Sequence, residues 1–166
     1  ERPKIVTQLV LIDAAGYPKI SKSTPIAFKL AQTPILNKLL TYLTPRFMVR
    51  ASVENVYFDK SKVTDPLVER YFELTLGEGN RQAFVDRFKA SGNADAYQNI
   101  KKLQQPTLVL WGAEDYLIPI ENAYKFHEDL PNDTLVILEG TGHTPMEESP
   151  DKSLVPVLDF LKASQY

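Results

Sequence analysis

The sequence predicts an α/β chain: a parallel sheet of about three strands, with a long helical insertion between the first strand and the second. Three observations carry this reading. Gln8-Leu9-Val10-Leu11-Ile12-Asp13, Thr107-Leu108-Val109-Leu110-Trp111 and Thr134-Leu135-Val136-Ile137-Leu138 are short apolar runs with almost no polar alternation. That is the pattern of strands buried on both faces inside a parallel sheet. Between the second and third runs, Ala123, Tyr124, Phe126, His127 and Leu130 recur at helical spacing within Ile120 to Leu130. Strand, helix and strand joined by short connections make a right-handed βαβ unit. Finally, everything from Tyr17 to Gln105 carries helical patterns only.

Taken in order, the first strand leads into this insertion at Gly16-Tyr17-Pro18. Ala27 to Leu43 reads as helix through Phe28, Leu30, Ala31, Ile35, Leu36, Leu39 and Leu40, with a break or kink at Pro34. Asp65-Pro66 starts another helix, carrying Val68, Tyr71, Phe72 and Leu74, and Gly77 and Gly79 interrupt it. Phe84, Val85 and Phe88 mark a further segment, and a short helix from Ala94 to Leu103 closes the region before Gln104-Gln105-Pro106. A crossover needs only a dozen or so residues, so the excess in this insertion of about 85 forms a layer of its own. The expected division is a core strand in residues 1–16, a helical layer in 17–105 and strand-helix-strand-helix in 106–166. The last helix starts at Pro150, with Ser149 as its cap and Asp151 complementing its dipole. Its stripe of Leu154, Val155, Val157, Leu158 and Leu161 is expected to cover one face of the sheet.

Composition narrows the function classes. Hydrophobic residues make up 43% of the 166 and charged residues 24%, which is ordinary folded composition. Lys plus Arg number 19 against 21 Asp plus Glu, a net charge of -2. This balance offers no electrostatic attraction for nucleic acid or an anionic membrane, and neither is expected as a partner. The absence of Cys excludes disulfides, thiol nucleophiles and thiolate metal sites, and His127 and His143 are too few for a multi-histidine centre. No apolar run approaches the ~20 residues that span a bilayer. There is no initiating Met and no basic, apolar signal segment, and a cytoplasmic location is expected.

Chemistry concentrates in two stretches, each just past the carboxyl end of a strand, where sites form in open parallel sheets. The first is Trp111-Gly112-Ala113-Glu114-Asp115-Tyr116-Leu117-Ile118-Pro119, and the second is Gly140-Thr141-Gly142-His143-Thr144-Pro145-Met146-Glu147-Glu148-Ser149-Pro150. The intervening helix and strand run out and back, returning the chain to the same edge, so Asp115 and His143 can meet. An Asp that accepts from one ring nitrogen fixes the tautomer and leaves the other nitrogen as a general base.

Both stretches resemble the last third of the α/β-hydrolase family: a Trp-Gly-x-x-Asp-x-x-x-Pro loop bearing the acid, then a Gly-His-x-Pro-x-x-Glu-x-Pro loop bearing the histidine. By position the resemblance implies Asp115 as triad acid and His143 as triad base. It also implies that Leu9 to Asp13 is the strand preceding the family's helical cap, and that residues 17–105 stand where that cap stands. The chain departs from the family in one respect. No Gly-x-Ser-x-Gly elbow is present, and Ser21, Ser23, Ser52, Ser61, Ser91, Ser149, Ser153 and Ser164 all lie off any strand-to-helix turn. The resemblance therefore implies the C-terminal part of a hydrolase whose first ~100 or more residues, with five of the usual eight strands, lie upstream of Glu1. The 166 residues alone are then expected to be inactive.

Alternatives stand beside these assignments. Asp13 ends a strand at the same sheet edge, where some family members place the acid, and is otherwise a turn-stabilising side chain. Glu114 is a solvent-facing neighbour or itself the acid. His127 reads as structural and Trp111 as a strand-end core residue. Phe28, Phe47, Tyr57, Tyr71, Phe72, Phe84 and Phe88 read mostly as core of the helical layer, two or three of them facing substrate. Glu147-Glu148 reads as a solvated or helix-start pair, with a brace for the His143 loop as the other possibility. The implied reaction is hydrolysis of an ester or related small hydrophobic substrate, with no metal or organic cofactor. C–C bond hydrolases, epoxide hydrolases and dehalogenases share the scaffold, as do non-catalytic binding modules. The unpaired edge of Leu9 to Ile12 predicts a homo-oligomer that covers it.

Overall fold

A computed structural model describes residues 5–18, 22–88 and 95–163. Three parallel strands form one sheet in the order β1 (Leu9–Ile12), β2 (Thr107–Gly112), β3 (Asp133–Leu138). Leu9 pairs with Thr107, and Thr107 in turn with Asp133. β2 is buried at all six positions, as its unbroken apolar sequence requires. β1 is only half-buried, and among the described residues β2 is its one strand neighbour.

Alternation along β2 sorts its side chains to two faces. Val109 and Trp111 pack with Ala123 and Phe126 of α6 (Glu121–Asp129) and with Leu130 just past its end. Leu108 and Leu110 pack with Leu138, and against them lie Val157 and Phe160 of α8 (Pro150–Ala163). Here the expected stripe is corrected. The inward row is Ser153, Val157 and Phe160, while Leu154, Val155, Leu158 and Leu161 are 54%, 58%, 43% and 38% exposed. The row carrying the large Phe160 ring is the one turned to the sheet, which places the leucine row on the outside.

Between β1 and β2 the described residues form five α-helices: α1 (Ile26–Gln32), α2 (Leu36–Tyr42), α3 (Arg46–Val56), α4 (Asp65–Leu76) and α5 (Asn80–Arg87). The predicted break at Pro34 is present as a gap between α1 and α2, where Ile35 adopts φ 73°. Thr64 caps α4 by accepting from Leu67 N–H, and Gly79 opens α5 in the left-handed region. The closing segment is a 3-10 helix over Ala96–Lys102 rather than an α-helix, and Ala94 lies outside the described residues. Neither α3 nor the single turn α7 (Pro145–Glu148) was expected from the sequence. Val49, Val53, Tyr57, Val63 and Val68 make one core of this helical layer, and Ala31, Leu40, Met48 and Val85 make another. No helix among the described residues is long and apolar enough to cross a membrane.

Candidate active site

The parallel register delivers the carboxyl ends of all three strands to one edge, and the site forms there. After β2 the chain turns at once: Asp115 N–H donates to Gly112 O at 3.2 Å. The side chain of Asp115 closes this turn from within, its Oδ1 accepting from Leu117 N–H at 2.8 Å and Ile118 N–H at 2.9 Å. Trp111, fully buried, donates its indole N–H to Ile118 O at 2.9 Å and pins the far end of the loop to the core. The expected core role of Trp111 thus extends to shaping the Asp115 loop.

The loop after β3 lies directly against this turn. A Cβ at Gly112 would stand 2.1 Å from Gly142 O, so only glycine permits the two loops to approach so closely. Glu114 joins them, accepting from Thr141 N–H at 2.9 Å while its own N–H donates to Thr141 O at 3.1 Å. His143 N–H donates to Val56 O at the end of α3, 2.8 Å away. Glu148 holds the preceding residue. Its Oε2 accepts from Gly142 N–H at 2.7 Å and Phe58 N–H at 3.2 Å, and its Oε1 accepts from Asp59 N–H at 2.7 Å. Of the Glu147-Glu148 pair, Glu148 is therefore a buried brace. Glu147 accepts from the hydroxyls of Tyr57 and Tyr71 and pairs with Arg70. Burial, followed by the Glu147 carboxylate, pushes the Tyr71 hydroxyl up to about 12 and that of Tyr57 higher still.

These constraints bring His143 Nδ1 to 2.7 Å from Asp115 Oδ2, although 28 residues separate the two in sequence. The Asp115 carboxylate is fully buried and the imidazole is 22% exposed. His143 thus meets Asp115, and neither Glu114 nor Asp13 is its hydrogen-bond partner. His127 is on the far side of the βαβ unit, exposed and paired with Asp133 at 3.0 Å. Among the described residues no hydroxyl donates to Nε2 of His143, and Ser21, Ser91 and Ser164 lie outside them.

Asp13 stands behind this pair. It takes φ 42°, a left-handed conformation that Asp tolerates better than most residues. Its Oδ1 accepts from Gly112 N–H at 2.9 Å, while Oδ2 is buried with no hydrogen-bond partner. Burial pushes the Asp13 carboxyl up to about 9. The Gly112 N–H opposes that rise, and the Asp115 and Glu148 carboxylates reinforce it.

One atom each of Asp13, Asp115 and His143 lie within 4.8 Å of one another, the one such metal-sized group among the described residues. The Nδ1–Oδ2 separation of 2.7 Å is that of a direct hydrogen bond. A tetrahedral cation with ligand bonds of ~2.1 Å would spread those two atoms to roughly 3.4 Å.

His143 forms part of the wall of a cavity of about 970 Å³ between the sheet edge and the helical layer. Met48, Val53 and Leu74 line it, together with Tyr71 and the Phe28, Phe84 and Phe88 cluster, whose ring centroids lie 5.1–5.8 Å apart. Of the other aromatics, Tyr57 is buried in the helical core, Phe72 packs against that core and Phe47 is 70% exposed.

Comparison with known proteins gives one answer. A profile of the alpha/beta hydrolase fold matches residues 8–150. The chain is 29% identical over 163 residues to an uncharacterized hydrolase, YugF, of Bacillus subtilis, covering 98% of this chain and 59% of that protein. It is 27% identical over 164 residues to a 2-hydroxy-6-oxononadienedioate/2-hydroxy-6-oxononatrienedioate hydrolase of a Pseudomonas species, covering 96% and 56%. The crystal structure of a meta-cleavage product hydrolase, CumD, from Pseudomonas fluorescens has the same fold, with a TM-score of 0.75 at 22% identity over 95% of this chain and 56% of that one. The chain thus spans a little over half the length of these relatives. With the profile match covering all three strands and both loops, the chain belongs to the α/β-hydrolase fold family.

Proposed function

We propose that these residues supply the acid and the base of a hydrolase that works through an activated nucleophile, with the helical layer roofing the substrate cavity. The observation that carries this is the 2.7 Å contact between His143 Nδ1 and a fully buried Asp115, made at the wall of an apolar cavity. Asp115, held by two backbone N–H groups, keeps the proton of His143 on Nδ1 and stabilises the imidazolium. Nε2 is then free to take the nucleophile's proton, pass it to the leaving group and later activate water. The nucleophile on this reading comes from outside residues 1–166, a view supported by the lack of an elbow motif in this sequence. The phenylalanine-lined cavity favours an apolar substrate, either an ester or, following the Pseudomonas relative, a C–C bond beside a carbonyl.

The test is hydrolysis of aryl esters and of vinylogous diketo acids by the natural polypeptide that carries these residues. Asp115→Asn should lower kcat by about 10⁴-fold and His143→Ala by about 10⁶-fold, while residues 1–166 alone stay at background. Undiminished turnover in His143→Ala would sink the assignment. Turnover by residues 1–166 alone, abolished in His143→Ala, would overturn the placement of the nucleophile.

A further inference from the structure

The Asp115 carboxylate offers about four acceptor sites. Leu117 N–H, Ile118 N–H and His143 Nδ1 fill three of them. The neighbouring group without a hydrogen-bond partner is Oδ2 of Asp13, and the Asp13, Asp115 and His143 atoms that approach one another all lie within 4.8 Å. As a carboxylate, Asp13 would set a second buried acceptor against Asp115, with the Glu148 carboxylate also near. Among the described residues no lysine or arginine side chain is ion-paired to any of the three; Lys62 Nζ donates to the Glu148 backbone carbonyl instead, at 2.6 Å. Two carboxylates sharing a buried site cannot both ionise cheaply. One proton resolves the conflict, turning an orphaned acceptor into a donor aimed at the open site of its neighbour.

We infer that Asp13 is a neutral carboxylic acid that donates its Oδ2–H to Asp115, making it a positioning residue for the His143–Asp115 pair. The two aspartates then carry a single negative charge between them. Asp13 Oδ1, accepting from Gly112 N–H, ties that donor to the end of β2. The upward displacement of the Asp13 carboxyl by burial and by Asp115 agrees with this arrangement. Its consequence for catalysis rests on the hydrolase reading above, but the pairing itself does not.

The test therefore uses the chain without any assay of turnover. Infrared difference spectra should show a protonated-carboxyl C=O band at pH 7 that is absent in Asp13→Asn and titrates away only on the alkaline side. Absence of that band from the unmutated chain at pH 7 overturns the inference, whatever any variant does. Proton NMR should show the hydrogen-bonded Nδ1–H of His143 as a far-downfield resonance. Asp13→Asn should retain it, because an amide reproduces both the acceptor toward Gly112 and the donor toward Asp115. Asp13→Leu should broaden or lose it. An unchanged resonance in a folded Asp13→Leu protein means that Asp13 positions nothing. An inactive natural polypeptide whose band and resonance behave as stated would refute the hydrolase reading and leave the pairing intact.

Discussion

The carboxylate of Glu148 accepts the backbone N–H of Gly142 at 2.7 Å, one residue before the candidate base, while its second oxygen accepts Asp59 N–H at the same distance. A single buried side chain thus joins the histidine loop to the segment after α3. Replacing it strands three donors, those of Gly142, Phe58 and Asp59. Each stranded buried donor costs about 1–3 kcal/mol, so Glu148→Ala should destabilise by several kcal/mol in urea unfolding. Glu148→Gln should be nearly as damaging, because both oxygens face N–H groups and the amide NH₂ must oppose one of them. A Gln variant of native stability would show that the brace contributes little.

Stability should also depend on pH through Asp13. Its folded carboxyl is raised from 3.8 to about 9, so between those values the folded state holds a proton that the unfolded state has released. Unfolding then becomes more favourable as pH rises. The contribution of Asp13 is fully present below about pH 4, declines across the window and levels off above about pH 9. Asp13→Asn should flatten this slope, and its advantage over the unmutated chain in urea midpoint should be larger at pH 8 than at pH 5. An equal difference at both values would contradict the shift.

Close approach of the histidine loop to the end of α3 makes a steric prediction. Gly142→Ala places a Cβ 2.4 Å from Val56 O and 2.8 Å from Phe58 N, both backbone atoms that cannot swing aside. Overpacking of this kind costs about 1–3 kcal/mol. In the natural polypeptide the same change should depress kcat more than KM, since it displaces the proposed base while leaving the Phe28, Phe84 and Phe88 wall in place.

Association is the fourth expectation. β1 shows one edge with no strand neighbour among the described residues, and its four residues are half-buried. Such an edge is a template for pairing. Residues 1–166 should sediment as a dimer or larger species, and Val10→Lys should shift them toward monomer. A well-folded monomer at micromolar concentration would refute this.

Much of this was readable from sequence where a local rule and the fold agree. The three strands were, because each is a short apolar run without helical spacing, although only β2 is buried at every position. The meeting of Asp115 with His143 was, because their loops follow parallel strands and return to one edge. What was not readable depends on contacts made far along the chain. α3 starts after Pro45 with no side-chain cap, and its buried residues, Met48, Val49 and Val53, share the helix with Arg46, Arg50 and Glu54. Two adjacent glutamates look alike in sequence, yet Glu148 is 2% exposed because Phe58 and Asp59 offer it N–H groups from nearly 90 residues away. The inward row of α8 was misjudged because several of its sides are apolar, and only the sheet decides which one faces in.

The hydrogen bond from His143 N–H to Val56 O has a mechanical consequence. Val56 is the last residue of α3, and Met48, Val49 and Val53 of the same helix line the cavity. A rigid helix therefore connects the surface that an apolar guest would press against with the backbone that carries the imidazole. Cavity wall and histidine loop are thus fastened to one helix, so a substitution that shifts α3 reaches the imidazole as well as the wall.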